Sequence, residues 1–189
     1  MLLKSSLFVI EIYHDDVFYV LLGHLENALK SQQIELMEPA ILVLGAISAP
    51  DGAYGLIQIH LTNLVPYLME ILNNNNEILR STTLWTLSQF SEWIGSQYQL
   101  DEYLTMLCQR MHDSDQNVQE AACMAFSVLV ESVSAEKILP LLAQPLAAFT
   151  VLIDVYKGNT LSGLFDAIGQ MAVQMKDEWK SVRAEDIRS

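Results

Sequence analysis

The side chains that most often perform catalysis or bind metals are few and scattered in this sequence. The serines and the two cysteines, Cys108 and Cys123, have no evident base partner near them in the chain. No two of the four histidines stand at the i, i+4 spacing that places two metal ligands on one face of a helix. We therefore predict no enzyme activity, no metal site and no cofactor. The histidines are His14, His24, His60 and His112.

Two short motifs could suggest bound ions, and both have simpler explanations. The run Asp113-Ser114-Asp115 could form a cation loop, but it precedes an apolar helical pattern and fits a helix-capping turn better. The glycines Gly45, Gly52 and Gly55 do not follow a predicted strand, so they do not indicate a phosphate-binding loop.

The composition points to a folded, acidic protein. The 189 residues are 51% hydrophobic, and 23 acids against 10 bases give a formal net charge of -13. This balance argues against binding to a nucleic-acid backbone and favours basic protein partners, although acidity often serves solubility alone. The middle of the chain is the least basic part, because Arg80 is the only Lys or Arg between Gln32 and Gln109.

The cysteines and the apolar segments indicate the cellular compartment in which we expect the protein. Two cysteines without metal-ligand spacing suggest reduced thiols, as in a protein of the cytoplasm or nucleus. The apolar start of the chain lacks a cleavage site and is followed at once by acids, so we expect no signal peptide. No apolar run reaches the roughly 20 residues that cross a bilayer, so we expect no membrane insertion.

Helical periodicity runs through the chain, and no segment shows a strand pattern. Four asparagines, Asn73 to Asn76, predict a turn, and Asp115 predicts a helix N-cap. Pro145 is expected to kink the helix in which it lies. The predicted organisation is one helical domain over 1–189: a leading helix at 1–13, helix pairs at 16–49, 60–96, 101–133 and 136–175, and an incomplete repeat at 176–189.

The helix pairs repeat with a period near 40 residues. One apolar column is separated by 43, 39 and 42 residues, and apolar residues stand three positions before and after it. Small residues follow it directly, as close helix packing requires. The central column is Leu44, Leu87, Phe126 and Ile168; the earlier one is Ile41, Leu84, Cys123 and Phe165; the later one is Ile47, Phe90, Leu129 and Met171; the small residues are Gly45, Ser88, Ser127 and Gly169.

A plain helical bundle has no reason to keep this register. The pattern instead predicts an all-α HEAT-repeat solenoid, in which antiparallel helix pairs stack into a right-handed superhelix.

A tryptophan occupies an outward position of the helix predicted at 77–96. The apolar face of this helix includes Leu87 and Phe90, and Trp85 falls nearly opposite it at 100° per residue. Equivalent positions in the other repeats, with those one and two turns later, would form a strip along the concave surface. We predict that this strip binds an extended basic peptide. Its residues are Leu42, Trp85, Gln89, Glu92, Met124, Glu131 and Asp166.

The alternative is that Trp85 packs on a neighbouring helix and the carboxylates are merely solvated. From the pattern alone the two interpretations have about equal weight.

Four blocks of sequence resemble transportin, a family of karyopherin-beta nuclear import receptors. They are Ala40–Ile47, Leu79–Ser88, Asn117–Phe126 and Phe165–Gly169, and they fit the middle HEAT repeats of that family. The resemblance implies a receptor of the cytoplasm and nucleus that binds basic, proline-tyrosine localisation signals on its concave face. It further implies apolar signal contacts at Leu42 and Trp85, and acidic ones at Glu131 and Asp166. Ran-GTP, which releases cargo in the family, binds N-terminal repeats that are absent from this chain.

The sequence also departs from the family pattern. The groove residues differ at Leu7, Thr82, Val128, Gln170 and Val173, which weakens the expected attraction for a basic peptide. An alternative function is therefore a truncated HEAT scaffold that holds one partner in an assembly without transport activity. Both terminal helices lack a polar outer face, so we also expect self-association through the ends of the solenoid.

Overall fold

The computed structural model describes residues 18–48, 54–97 and 100–186, and within these ranges the regular structure is entirely helical. The first helix, α1, covers residues 18–30. The others are α2 (Ile34–Ile47), α3 (Tyr54–Ile57), α4 (Leu61–Ile71), α5 (Glu77–Gln89), α6 (Ser91–Gln97), α7 (Leu100–Met111), α8 (Gln116–Ser132), α9 (Ala135–Ile138), α10 (Ala143–Val155) and α11 (Gly158–Asp186). Short 3-10 turns cover Gln58–His60 and Leu139–Leu141. The predicted leading helix at 1–13 lies outside the described residues.

Side-chain caps begin two of the longer helices. The Asn76 carboxamide oxygen accepts a hydrogen bond from the Leu79 N–H at 3.0 Å, which satisfies one free donor at the start of α5. The Asp115 carboxylate accepts from Asn117 and Val118 at 2.9 and 3.2 Å at the start of α8. The predicted turn at the asparagines and the predicted cap at Asp115 are both confirmed.

The chain divides into two compact units, and the first extends to Phe90. Within it α2 packs along α5, and α4 packs against α5. The Thr86 hydroxyl donates to the Ile41 carbonyl at 2.9 Å across the α2–α5 contact. The Tyr67 hydroxyl donates to the Leu29 carbonyl at 3.0 Å and ties α4 to α1.

The second unit begins at Ser91 and is arranged around α8. This helix packs against α6, α7 and α11. The Gln174 carboxamide donates to the Val130 carbonyl at 2.9 Å, which joins α11 to α8. The Tyr156 hydroxyl donates to the Met111 carbonyl, and Phe149 meets Phe126 edge to face with ring centroids 5.2 Å apart.

The second helices of successive repeats pack side by side within each unit, as α2 with α5 and α8 with α11. The apolar columns of the first three repeats are buried, with Leu44, Leu87 and Phe126 at most 1% exposed. The assignment of four helix pairs to one continuous solenoid domain stays a prediction.

The last repeat departs from the predicted columns. Phe165 was expected in the core, but its side chain is 52% exposed. A Cβ built on Gly169 would meet nothing within 4 Å among the described residues. The buried face of α11 consists of Thr160, Leu164, Ala167 and Met171, so α11 is covered on one side only. The prediction for Phe165 is wrong because no described helix packs where the equivalent residues of earlier repeats are covered.

Two predicted helices are interrupted. The helix expected through 96 ends at Gln89, where the Phe90 N–H binds the Leu87 carbonyl at 3.0 Å, a spacing of three residues that tightens the last turn. The Ser88 hydroxyl donates to the Trp85 carbonyl at 2.6 Å in the same turn. Such back-bonding by serine competes with regular helical hydrogen bonds.

The helix expected at 136–156 breaks at Leu142, and its two parts meet at an angle of 61°. The predicted kink is present, because the bend lies three residues before Pro145. Proline has no N–H to bond the carbonyl four residues before it, here that of Leu141, so the chain bends there and α10 begins with Pro145 in its first turn. Pro140 lies in the 3-10 turn before the break.

The boundary expected at residue 176 is also absent, because α11 continues to Asp186. The residues around Lys176 are good helix formers without proline or glycine, so nothing local ends the helix there.

Among the helices that the structure describes, none alone has the length and hydropathy to cross a membrane. The bent pair Ala135–Leu141 and Ala143–Val155 meets that test of length and composition only when its two parts are taken together.

Candidate peptide-binding surface

The indole of Trp85 lies on a glycine of the neighbouring helix. A Cβ built on Gly45 of α2 would stand 2.5 Å from the indole Cζ3 and 3.1 Å from Cε3. Real Cβ atoms essentially never come that close to another atom, so only glycine allows the ring to occupy this place. The predicted small residue after the apolar column therefore has a defined partner in the first unit.

This contact changes the expectation for Trp85. The side chain was predicted to point outward, and it is half-buried. The reason is that α2 packs directly beside α5 and covers one side of the ring. The indole is fixed on one side and partly open to solvent on the other. The packing of Trp85 on a neighbouring helix is therefore confirmed for one side of the ring, and peptide binding on the other side stays a prediction.

The other predicted residues of the first unit are also half-buried. Leu42 lies one turn before Gly45 on α2. Gln89 lies one turn after Trp85 on α5, and its carboxamide donates to the Ser88 hydroxyl at 3.2 Å. Leu42 and Trp85 thus come from packed helices and offer apolar surface to a ligand, with one amide nearby.

The second unit presents a sulfur side chain and three carboxylates. Met124 is 40% exposed, and Glu131 follows it two turns later on the same side of α8. Asp166 on α11 and Glu92 on α6 are exposed. Since α6 and α11 both pack against α8, these residues come from neighbouring helices. A flexible thioether and carboxylates on neighbouring helices suit a basic peptide with apolar side chains.

The predicted residues fall into both units. Leu42, Trp85 and Gln89 lie in the first, and Glu92, Met124, Glu131 and Asp166 lie in the second. The structure places neighbouring members on packed helices within each unit, and one strip through all seven stays a prediction.

The electrostatics of the middle of the chain favour cations. Its one strong base, Arg80, is only 8% exposed, and its guanidinium donates to the Asn74 carbonyl at 2.9 Å. The acids Glu35, Glu77 and Glu92, in contrast, are all exposed. The surface field there comes mainly from carboxylates and attracts positively charged ligands.

The thiols have the properties of core residues. Burial raises the pKa of Cys108 to about 11. Burial is also the main cause that raises the pKa of Cys123 to about 12, where Tyr156 opposes it by a hydrogen bond and Glu120 adds to it. Both thiols are therefore protonated at neutral pH and are poor nucleophiles.

Other features could hold small ligands. A cavity of about 290 Å³ lies between α1 and α4 and is lined mainly by leucines with Tyr67 and His60. No sequence pattern indicated this cavity, because its lining residues also fit an ordinary core pattern. No three His, Cys, Asp or Glu residues in the described part of the chain are grouped to hold a metal ion.

Comparison with known proteins defines the class of fold. Residues 35–90 match the model of a HEAT-like repeat, and residues 104–133 match that of the HEAT repeat. A designed armadillo repeat protein, solved in complex with the peptide (KR)4, superposes on 99% of this chain and 84% of its own with a TM-score of 0.62 at 17% identity. The chain is an all-helical repeat solenoid of the HEAT and armadillo type, which confirms the predicted fold class.

Curated relatives point to one kind of HEAT-repeat protein. Human Transportin-1 is 37% identical over 164 residues, which is 85% of this chain and 18% of the human protein. Transportin of Dictyostelium discoideum is 36% identical over 185 residues, which is 93% of this chain and 19% of that protein. Importin subunit beta-2 of Saccharomyces cerevisiae is 34% identical over 151 residues, covering 78% of this chain and 16% of that protein.

The chain is therefore a homologue of transportin over most of its length, and it spans less than a fifth of the length of these relatives. The resemblance seen in the sequence blocks is confirmed. The match places the chain in a class of non-enzymatic protein-binding scaffolds, in agreement with the predicted lack of enzyme activity.

Proposed function

We propose that this chain binds an extended, basic segment of a partner protein along the side formed by its second helices. The observation that carries the proposal is the indole of Trp85, which is held on Gly45 and left partly open. A large, preordered apolar surface costs little entropy when a ligand packs on it. Exposed carboxylates on α6, α8 and α11 supply the complementary charge.

The transportin relatives sharpen this proposal to a class of ligand. The ligand is a basic nuclear localisation signal of the proline-tyrosine type, and the chain acts in the cytoplasm and nucleus. Apolar side chains of the signal pack on Leu42, Trp85 and Met124. Its basic side chains are attracted by Glu92, Glu131 and Asp166, and Gln89 offers an amide to its backbone.

A fluorescence-anisotropy titration tests this proposal. A labelled basic proline-tyrosine peptide is expected to bind the 189-residue chain weakly. Trp85→Ala and Asp166→Lys should each weaken binding roughly tenfold, because each removes a contact worth about 1.4 kcal/mol. Ile78→Ala is the matched control, since Ile78 is a 46% exposed apolar residue in the first turn of α5 and is not among the proposed contacts.

The peptide (KR)4 provides a second probe that carries charge without the proline-tyrosine element. Tighter binding of the proline-tyrosine peptide than of (KR)4 supports the sharper proposal. Equal affinity of the wild-type chain and both strip variants for the proline-tyrosine peptide would remove the proposed surface.

A second candidate is a scaffold that holds one partner in an assembly and does not transport it. The departures from the family's groove pattern at Val128, Gln170 and the 59% exposed Val173 favour this candidate, because they weaken the attraction for a basic signal. It predicts no binding of Ran-GTP and no nuclear accumulation of a labelled cargo in permeabilised cells. Cargo accumulation that depends on added chain and on Ran-GTP would favour the transport function.

A further inference from the structure

Two consecutive residues of α5 pack against one turn of α2. Besides the Trp85 ring, the Thr86 hydroxyl oxygen would lie 3.0 Å from a Cβ built on Gly45. The same hydroxyl donates to the Ile41 carbonyl at 2.9 Å, and Thr86 is fully buried. Because Gly45 has no side chain, the indole and the hydroxyl group both reach the backbone of α2 at this turn.

The bond from Thr86 is added to the hydrogen bonds of α2 and replaces none of them. Ile41 and Gly45 stand four residues apart within α2, so the Ile41 carbonyl also accepts the Gly45 N–H of the helix. A carbonyl oxygen has two lone pairs and can accept both bonds. The turn of α2 that carries Gly45 is thereby joined to α5 in one register.

The other predicted repeats have no hydroxyl group at this place. The residues equivalent to Thr86 are Val43, Ala125 and Ala167. These residues lie within α2, α8 and α11, so a second helix of a repeat forms without a hydroxyl group there. The threonine stands in the repeat that carries the tryptophan, which indicates a role connected with Trp85 and not with the repeat itself.

We propose that Thr86 is a positioning residue, which holds the Trp85 indole on Gly45 in the orientation that a ligand meets. This role rests on the proposed function, in which the partly open ring is the main apolar contact. Rotation of α5 about its axis would move Trp85 and Thr86 together, because they are consecutive in the helix. The bond to the Ile41 carbonyl resists this rotation and keeps the ring in its binding position. A site whose binding-competent state is only partly populated binds more weakly in proportion.

A second threonine of α5 provides a matched control. Thr83 lies about one turn before Thr86, and its side chain is equally buried. Within the described part of the chain, the Thr83 hydroxyl has no hydrogen-bond partner. Valine in place of either threonine removes one hydroxyl group and keeps the shape of the side chain. Only Thr86→Val removes a bond between α2 and α5.

Fluorescence anisotropy with the labelled basic proline-tyrosine peptide measures the effect on binding. Thr86→Val should raise the dissociation constant roughly fivefold, since the bond that it removes is an ordinary hydrogen bond between neutral groups. Thr83→Val should leave the dissociation constant unchanged. Thr86→Ser keeps the hydroxyl group and should bind the peptide within about twofold of the wild-type chain.

A second measurement needs no peptide, so its outcome is separate from that of the proposed function. The 189-residue chain is labelled with fluorotryptophan, and the fluorine NMR signal of Trp85 is assigned by its loss in Trp85→Phe. Thr86→Val should shift or broaden this signal, because the ring leaves its place on Gly45 for part of the time. Thr83→Val should leave the signal unchanged, and Trp93 in α6 serves as an internal reference.

Thermal unfolding checks that each variant is folded. Thr86→Ala replaces Thr86→Val if that one is not, since alanine occupies the equivalent positions of α8 and α11. An unchanged Trp85 signal in Thr86→Val overturns the proposal, whether or not the wild-type chain binds the peptide. Equal effects of Thr86→Val and Thr83→Val on affinity overturn it as well. A wild-type chain that does not bind the peptide, with the Trp85 signal shifted in Thr86→Val, contradicts the proposed function and supports the positioning of the ring.

Discussion

At the scale of single residues, most of the account depends on the contact between Trp85 and Gly45. The half-buried indole of Trp85 packs against α2 in the space that Gly45 leaves by having no side chain. Because the ring is already ordered, a ligand that packs on it gains apolar contact without the entropy cost of immobilising the Trp85 side chain. The stability of the α2–α5 pair and the proposed binding surface therefore depend on the same glycine.

Gly45→Ala should lower the free energy of unfolding by about 1–3 kcal/mol, because the added methyl group overlaps the indole and forces the helices to shift. Urea unfolding followed by far-UV circular dichroism measures this change. Gly163→Ala is the control, since a Cβ there makes an ordinary contact of 3.7 Å and alanine favours the helix. An unchanged unfolding midpoint in Gly45→Ala would contradict the packing described for Trp85.

The buried thiols predict how stability depends on pH. Burial raises the pKa of Cys108 and Cys123 from 9.0 to about 11 and about 12. Above pH 9 the unfolded chain loses these protons while the folded chain keeps them, so stability falls as pH rises from 9 towards 11. Burial raises the pKa of Tyr103 and Tyr156 in the same direction.

Thermal unfolding between pH 7 and 11 checks this expectation. In the double variant Cys108→Ala, Cys123→Ala the decline above pH 9 should be shallower than in the wild-type chain, with the tyrosines accounting for the remainder. A decline that is equally steep in both chains would mean that the thiols ionise alike in the folded and unfolded states.

Predictions for single residues were confirmed where the packing of two adjacent helices decides which side chain fits. The small residue at Gly45 followed from the packing of adjacent helices, and its partner is the tryptophan singled out as outward-facing. The prediction failed for Phe165, because burial depends on the next layer of helices and periodicity alone cannot show whether that layer is present.

At the scale of single elements, the helix starts are set by side-chain caps. Asn76→Ala should lower the free energy of unfolding by about 1 kcal/mol, because the Leu79 N–H loses the acceptor that it has in the native chain. Asn75→Ala is the control, since Asn75 is the exposed neighbour of the same chemical type and does not cap α5. Equal stability of the two variants in urea would show that the cap contributes nothing.

Most helices could be predicted, but the interruption at Phe90 could not. Caps and turns have recognisable residue types, as Asp115 and the four asparagines show. The bend at Leu142 also had a signal in the sequence, because Pro145 cannot bond the carbonyl four residues before it. The break at Phe90 depends instead on how one turn tightens against its surroundings.

At the scale of the whole molecule, the repeat spacing predicted the fold class, because stacked units must keep their apolar columns in register. It could not fix one binding strip through both units. A small rotation in each repeat accumulates along the chain, and the outward direction of a residue depends on that sum.

The acidity of the whole chain predicts how peptide binding depends on salt. Binding of the basic peptide should weaken by roughly tenfold or more between low and high salt, because salt screens the carboxylates that attract it. Fluorescence anisotropy at several salt concentrations measures this change, and a peptide affinity independent of salt would contradict an electrostatic contribution.

Photo-crosslinking of the bound peptide is the measurement that tests the central claim most directly. A basic proline-tyrosine peptide with a photoreactive group at one apolar position is irradiated on the 189-residue chain, and the crosslinked residues are identified by mass spectrometry. Crosslinks on the second helices α2, α5, α8 and α11, centred near Trp85 and Met124, are the predicted result. Crosslinks confined to the first helices α4, α7 and α10 would contradict it.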